Sequence, residues 1–110
     1  MADPQHRFVV FSKAVEGREA EFNEWYDNTH IPEVLGIDGF VACQRFELTV
    51  PSDDAPGNYL AAYEIEGDDP VAAVKRLGAA MPDLTSSDDL DRPSVVALIM
   101  TAMGPRHTSE

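Results

Sequence analysis

The sequence RFVVFS at residues 7–12 decides the fold, because its four central residues are all β-branched or aromatic. Such a run is typical of a β-strand, and the polar residues 13–17 end it. Alternation along a strand places Phe8 and Val10 on one face and Val9 and Phe11 on the other. Both faces of this strand are therefore apolar, which calls for a packing layer on each side of the sheet.

The next part of the chain changes from a strand pattern to a helical one. From Arg18 onward, apolar residues recur at helical spacing as far as Thr29, which predicts an amphipathic helix. Pro32 disfavours helical backbone angles at the residue before it. The helix should therefore end near His30, with a kink just after it, and a second short turn should run to Gly36.

The remaining elements follow from alternation and from turn residues. Residues 40–49 and 58–65 predict two strands that form an antiparallel hairpin around the polar turn at residues 51–57. Asp69 and Pro70 predict the start of a second helix, which should end near residues 78–82. The predicted apolar face of this helix consists of Val71, Val74 and Leu77.

The last strand completes the order βαββαβ. The sequence SVVALIMTAM at residues 94–103 predicts a fourth strand after an acidic, irregular stretch at residues 83–93. This order predicts an α+β fold, a ferredoxin-like sandwich with two helices on one face of a four-stranded antiparallel sheet. The fourth strand is also apolar on both faces, so we expect a second copy of the chain to cover the open face as a homodimer. The alternative is that residues 83–93 or the chain ends cover it.

Composition limits the class of protein. The 110 residues fit a single domain, 1–110, and 20 acidic against 8 basic side chains give a net charge of −12. No basic cluster is available to neutralise phosphates, which argues against nucleic acid and anionic membranes as partners. The longest apolar run, residues 95–100, is far shorter than a membrane helix, and no secretory signal is visible. A single cysteine, Cys43, fits a reducing compartment, so a cytoplasmic location is expected.

The segment at residues 22–32, FNEWYDNTHIP, holds the most functional groups. Asp27 and His30 are three residues apart and therefore neighbours on a helix. A carboxylate beside an imidazole can orient it as a general acid or base, with Asp27 holding His30. The alternative is a histidine that ends the helix and donates to a loop carbonyl, while Asp27 is solvated.

Other side chains could bind a substrate or serve only in packing. Tyr26 and Trp25 lie on the buried stripe of the helix, and Asn23 lies on the flank shared with Asp27 and His30. Arg45 could meet a carboxylate of a ligand or form a structural ion pair. Tyr63 shares a strand face with Tyr59, and parity alone does not say which face that is. Cys43 is expected to act as a small buried hydrophobe, because no basic neighbour lowers its pKa.

Several chemistries lack their sequence motifs. The chain has no glycine-rich phosphate loop, no nucleophile elbow and no cysteine pair for zinc. The three histidines, His6, His30 and His107, are too scattered to predict a metal site. We therefore expect neither a metal nor a cofactor.

The first helix and the start of the second strand carry a family resemblance. The sequence WYDNTHIP at residues 25–32, followed by Gly39-Phe40 and a strand containing Gln44-Arg45-Phe46, resembles the EthD-type members of the dimeric α+β barrel superfamily. In that group the first helix ends in a His-x-Pro element, which corresponds here to His30 and Pro32, and a glycine corresponding to Gly39 opens the second strand. One departure is Ile37-Asp38, where a Leu-Pro pair is common.

The resemblance implies a fold, a dimer and a range of activities. It favours His30 and Asp27 as the catalytic residues of a cofactor-independent lyase, isomerase or cyclase that acts on a small, mostly apolar aromatic, lactone or polyketide-like compound. Tyr26 or Asn23 would then bind a carbonyl or hydroxyl group of the substrate. One alternative is an oxidoreductase, either a cofactor-free monooxygenase or a haem-binding barrel with His30 as axial ligand. The other is a non-catalytic binding or interaction protein.

Overall fold

The computed structural model describes residues 4–109 and has an α+β fold. The chain forms β1 (His6–Ala14), α1 (Glu19–Trp25), a π-helical turn (Tyr26–His30), α2 (Ile31–Val34), β2 (Phe40–Glu47), β3 (Tyr59–Ile65), α3 (Pro70–Ala80) and β4 (Leu90–Thr101). The four strands form one antiparallel sheet in the order β2-β3-β1-β4. The predicted α+β class and the antiparallel hairpin of β2 and β3 are confirmed.

The core lies between the helices and one face of the sheet. The helical side chains that pack on this face are Phe22 from α1, Tyr26 from the π-helical turn, Val34 from α2, and Ala73 and Leu77 from α3. The sheet contributes a matching set of buried side chains: Phe8, Phe40, Ala61, Tyr63 and Ile65. The register pairs Phe8 with Tyr63 and Tyr63 with Cys43, which fixes the residues that face the helices.

The first helix differs from its prediction. It continues beyond His30 to Val34, and the expected kink after His30 is replaced by a π-helical turn before it. The Ile31 amide donates to the carbonyl of Tyr26, five residues back. Pro32 cannot donate a backbone hydrogen bond and would crowd a regular helix, so a wider turn just before it lets the chain continue.

The second helix and the last strand also differ in detail. Asp69 caps α3 as predicted, accepting from the Ala72 amide at 3.0 Å. Val71, however, is exposed, and Ala73 takes its predicted place on the buried face. β4 begins at Leu90, so the stretch at residues 83–93 is not irregular throughout; the edge position of β4 tolerates Pro93, which lacks an amide donor.

Much of the sheet face away from the helices is exposed in the part of the chain that the structure describes. The register pairs Val9 with Leu98 and Phe11 with Val96 there, so both faces of β1 and β4 are apolar, as the sequence predicts. Leu98 and Met100 are each 45% exposed, and Phe46 on β2 is 50% exposed. Within residues 4–109, no helix is long and apolar enough to span a membrane.

Candidate functional site

A cavity of about 730 Å³ lies between the helical layer and the β1–β4 side of the sheet and opens to solvent on one side. Its floor comes from alternate residues of β1 and β4, among them Val10 and Ala97, and its helical walls include Val74 and Leu77. Its volume falls in the range of small-molecule pockets, about 300–1,000 Å³. The cavity is mostly apolar, with a few polar groups from separate elements.

The π-helical turn places an imidazole and an indole in this cavity. In a regular α-helix, residues five apart point about 140° away from each other. The wider turn aligns them instead, so the Trp25 and His30 rings stack with centroids 4.7 Å apart and planes 21° apart. The His30 ring also meets the edge of Tyr26 at 5.0 Å. Packing on two sides fixes the orientation of the His30 ring toward the cavity.

His30 has the properties of a neutral base. Its Nδ1 atom is buried and has no hydrogen-bond partner within the described chain. Burial lowers the pKa of His30 below its ordinary value of 6.5, and the charge of Glu33 only partly opposes that effect. The imidazole is therefore mainly neutral at pH 7 and can accept a proton.

Tyr63 is a second buried polar residue of the same cavity. It is 1% exposed, and its hydroxyl makes no hydrogen bond of regular geometry among residues 4–109, although it interacts with the Tyr26 hydroxyl and the Cys43 thiol. Burial raises the pKa of Tyr63 well above its ordinary value, so the hydroxyl stays protonated. Cys43, its register neighbour on β2, is also held in the neutral form, because burial raises the pKa of the thiol to about 11. The thiol therefore does not form the thiolate that a nucleophile needs.

Asp27, Asn23 and Arg45 form a separate cluster beside Tyr26. Arg45 donates to Asp27 Oδ1 at 3.0 Å and to Asn23 Oδ1 at 2.7 Å. Its guanidinium carbon lies 4.5 Å from the centroid of the Tyr26 ring. The Arg45 side chain is 15% exposed, whereas that of Asp27 is 57% exposed. Arg45 thus forms an ion pair with a residue of its own chain, and none of the three lines the cavity.

The expected contact between Asp27 and His30 is not formed. No hydrogen bond or ion pair joins these two residues in the described chain, and Asp27 binds Arg45 instead. The expectation assumed regular α-helical geometry, in which residues three apart are neighbours. The π-helical turn widens the helix at this point and separates the two side chains.

The structure adds residues that the sequence analysis did not select. Ser12 is 2% exposed and lies on the cavity floor; its parity with Phe8 and Val10 could have revealed this position. Thr85 lines the opposite wall, and both its amide and its hydroxyl donate to the Glu33 carboxylate at 2.9 Å. Its carbonyl accepts from the Trp25 indole at 3.2 Å. Nothing in the sequence pattern around Thr85 predicted these bonds, because they join residues more than 50 positions apart.

Two observations bear on what the cavity could hold. Trp25, Tyr26, His30 and Tyr63 come together around it, while Asn23, Asp27 and Arg45 do not reach it. In the described part of the chain, no group of three or more His, Cys, Asp or Glu side chains is arranged to hold a metal ion. Comparisons of the chain with protein-family models, with curated proteins and with solved structures gave no match.

Proposed function

We propose that the protein binds a small, mostly apolar carbonyl compound in this cavity and catalyses a cofactor-independent proton transfer with His30. The observation that carries the proposal is that the His30 side chain lines the cavity while its buried Nδ1 atom has no hydrogen-bond partner within residues 4–109. A buried polar atom without a partner costs free energy, and a ligand that supplies the partner recovers it. Stacking on Trp25 holds the imidazole in one orientation.

The proposed step uses two groups of this chain. Neutral His30 removes a proton from a carbon next to the carbonyl group, and the electron pair moves onto the carbonyl oxygen to form an enolate. The Tyr63 hydroxyl donates a hydrogen bond to that oxygen and stabilises its charge. The imidazolium then returns the proton to another carbon, which completes an isomerisation, or to a leaving hydroxyl, which departs as water.

We further propose the finer architecture that the sequence suggests. The strand order β2-β3-β1-β4 with both helices on one face supports a ferredoxin-like arrangement. The exposed apolar side chains Leu98, Met100 and Phe46 support a dimer in which two sheets pack face to face, because monomers rarely expose such a surface. An EthD-like dimeric α+β barrel would have both features.

The proton transfer can be tested with an apolar ketone as a probe. In deuterated buffer, we expect the protein to accelerate hydrogen–deuterium exchange at C1 of 2-tetralone, the carbon between the aromatic ring and the carbonyl group. The exchange is measured by NMR. His30→Gln should lower this rate by about 10²-fold or more, which is the usual contribution of a positioned acid or base. His107→Gln, which changes an exposed histidine near the end of the chain, serves as the matched control.

Two outcomes would contradict the proposal. A wild-type rate no higher than that of free imidazole at the same concentration would show that the cavity does not promote proton transfer. An unchanged rate in His30→Gln would assign the transfer to another group. Binding of the ketone without exchange would instead favour the non-catalytic binding protein.

A further inference from the structure

The charge of the cavity differs sharply from the charge of the chain. Twenty of the 110 residues are acidic, yet no Asp or Glu is among the residues of the described chain that line the cavity. The carboxylate of Glu33, which does not line the cavity, accepts hydrogen bonds through both oxygens from the lining residue Thr85. The ionisable side chains that could carry a positive charge in the lining are His30 and Arg92.

Arg92 differs from the other arginines of the folded domain. Arg7, Arg18 and Arg45 each form an ion pair, and Arg76 donates to the carbonyl of Asp38. Arg92 lies in β4 at the rim of the cavity, is exposed, and has no hydrogen bond or ion pair among residues 4–109. Its neighbour Asp91 pairs with Lys13 in the register and is not among the residues that line the cavity. A guanidinium without a partner in so acidic a protein is free to bind an external anion.

We infer that the ligand of this cavity is an amphipathic carboxylate, with an apolar body inside the cavity and its carboxylate on Arg92. This inference rests on the proposed function and specifies its substrate class. Arginine presents a planar set of donors that matches the two oxygens of a carboxylate. The long-range field of a chain with net charge −12 repels anions, so a carboxylate needs a local cation and a lining free of acidic groups. Arg92 provides the local cation, and the cavity lining contains no Asp or Glu among the described residues.

Two fluorescent probes with one ring skeleton test the inference. 8-Anilinonaphthalene-1-sulfonate carries one negative charge, and N-phenyl-1-naphthylamine has the same rings without it. We expect Arg92→Gln to weaken binding of the sulfonate by about five-fold, as expected for loss of an exposed charge pair. The same variant should change the affinity of the neutral probe by less than about two-fold, because the apolar lining is intact. Arg106→Gln, which removes the same charge from the exposed C-terminal segment, should change neither affinity.

A blocked cavity shows where the probes bind. Gly78 lines the cavity, and a Cβ atom added there would meet no atom within 4 Å. The first atom of the Gly78→Phe side chain therefore fits without a clash, and we expect the ring to fill part of the cavity and to abolish binding of both probes. The inference would be overturned if Arg92→Gln and Arg106→Gln weakened sulfonate binding equally, or if neither variant weakened it. In either case, continued binding of the neutral probe would leave the proposed function intact. Failure of Gly78→Phe to affect either probe would count against the cavity as a ligand site and so against both proposals.

Discussion

Lowering the pH should protonate His30 beneath the Trp25 ring and quench the fluorescence of this tryptophan. Trp25 is the single tryptophan of the chain, and it stacks on His30 at 4.7 Å. An ordinary histidine with a pKa of 6.5 is about three-quarters neutral at pH 7. Because burial lowers the pKa of His30, the neutral fraction there is larger. We therefore expect fluorescence to be constant above about pH 7.5 and to fall at lower pH with a midpoint below 6.5.

The same shift links folding stability to pH. A histidine whose pKa is lower in the folded state binds fewer protons than in the unfolded chain, so the free energy of unfolding falls as the pH drops from about 6.5 to the folded-state pKa. Below that pKa the loss is constant, and above about pH 7.5 it is absent. Each unit of difference corresponds to at most about 1.4 kcal/mol, reduced here because the ring is partly solvated.

The assay combines a fluorescence titration with denaturant unfolding between pH 8 and pH 5. His30→Gln keeps a polar side chain of similar reach and should remove the fluorescence transition below 6.5. It should also remove the part of the pH dependence of stability that His30 causes. His6 and His107 remain in this variant and serve as an internal control. A fluorescence midpoint above 6.5, or one that persists in His30→Gln, would refute the assignment of a buried, neutral imidazole beneath Trp25.

Three further predictions concern positions outside the imidazole. A Cβ atom at Gly57 would overlap the backbone carbonyl of Ser12, so Gly57→Ala should lower the free energy of unfolding by about 1–3 kcal/mol in denaturant titrations. Gly78→Ala, whose added Cβ atom meets open space, should not lower it. Asp27→Asn should lower the free energy of unfolding by less than about 1 kcal/mol, because the Asp27 carboxylate is exposed. It should also leave the pH midpoint of the Trp25 fluorescence unchanged; a displaced midpoint would show that Asp27 interacts with His30 after all. Leu98→Glu should convert a dimer into a 12.1 kDa monomer in light scattering, while Val71→Glu on the exposed side of α3 should not; a wild-type monomer at micromolar concentration would argue against the packing of two sheets.

The sequence determined the order of the elements and the apolar character of both faces of β1 and β4. These features depend on residues close together in the chain: alternation in residues 7–12, the cap at Asp69, and the turn residues between β2 and β3. Local signals of this kind act within a few residues and can be read directly. They failed where two local rules competed, as at His30, where the proline signal predicted an end and the helix continued through a π-helical turn.

The candidate site was only partly accessible to such reasoning. The sequence selected Trp25, Tyr26, His30 and Tyr63, which line the cavity, but it grouped Asp27 with His30 rather than with Arg45. Helical spacing alone could not reveal that the turn widens. Thr85 and Arg92 line the cavity from segments that are distant in the sequence from the first helix.

Strand and helix order, net charge and the two-sided apolar sheet were thus properties of the sequence itself. The tertiary structure alone decided which face of the sheet Arg45, Tyr59 and Tyr63 occupy, which carboxylate meets Arg45, and which polar atoms remain without partners around the cavity. The physical reason is that periodicity defines faces only relative to one another. Burial and hydrogen bonding depend on contacts between residues that are distant in the chain.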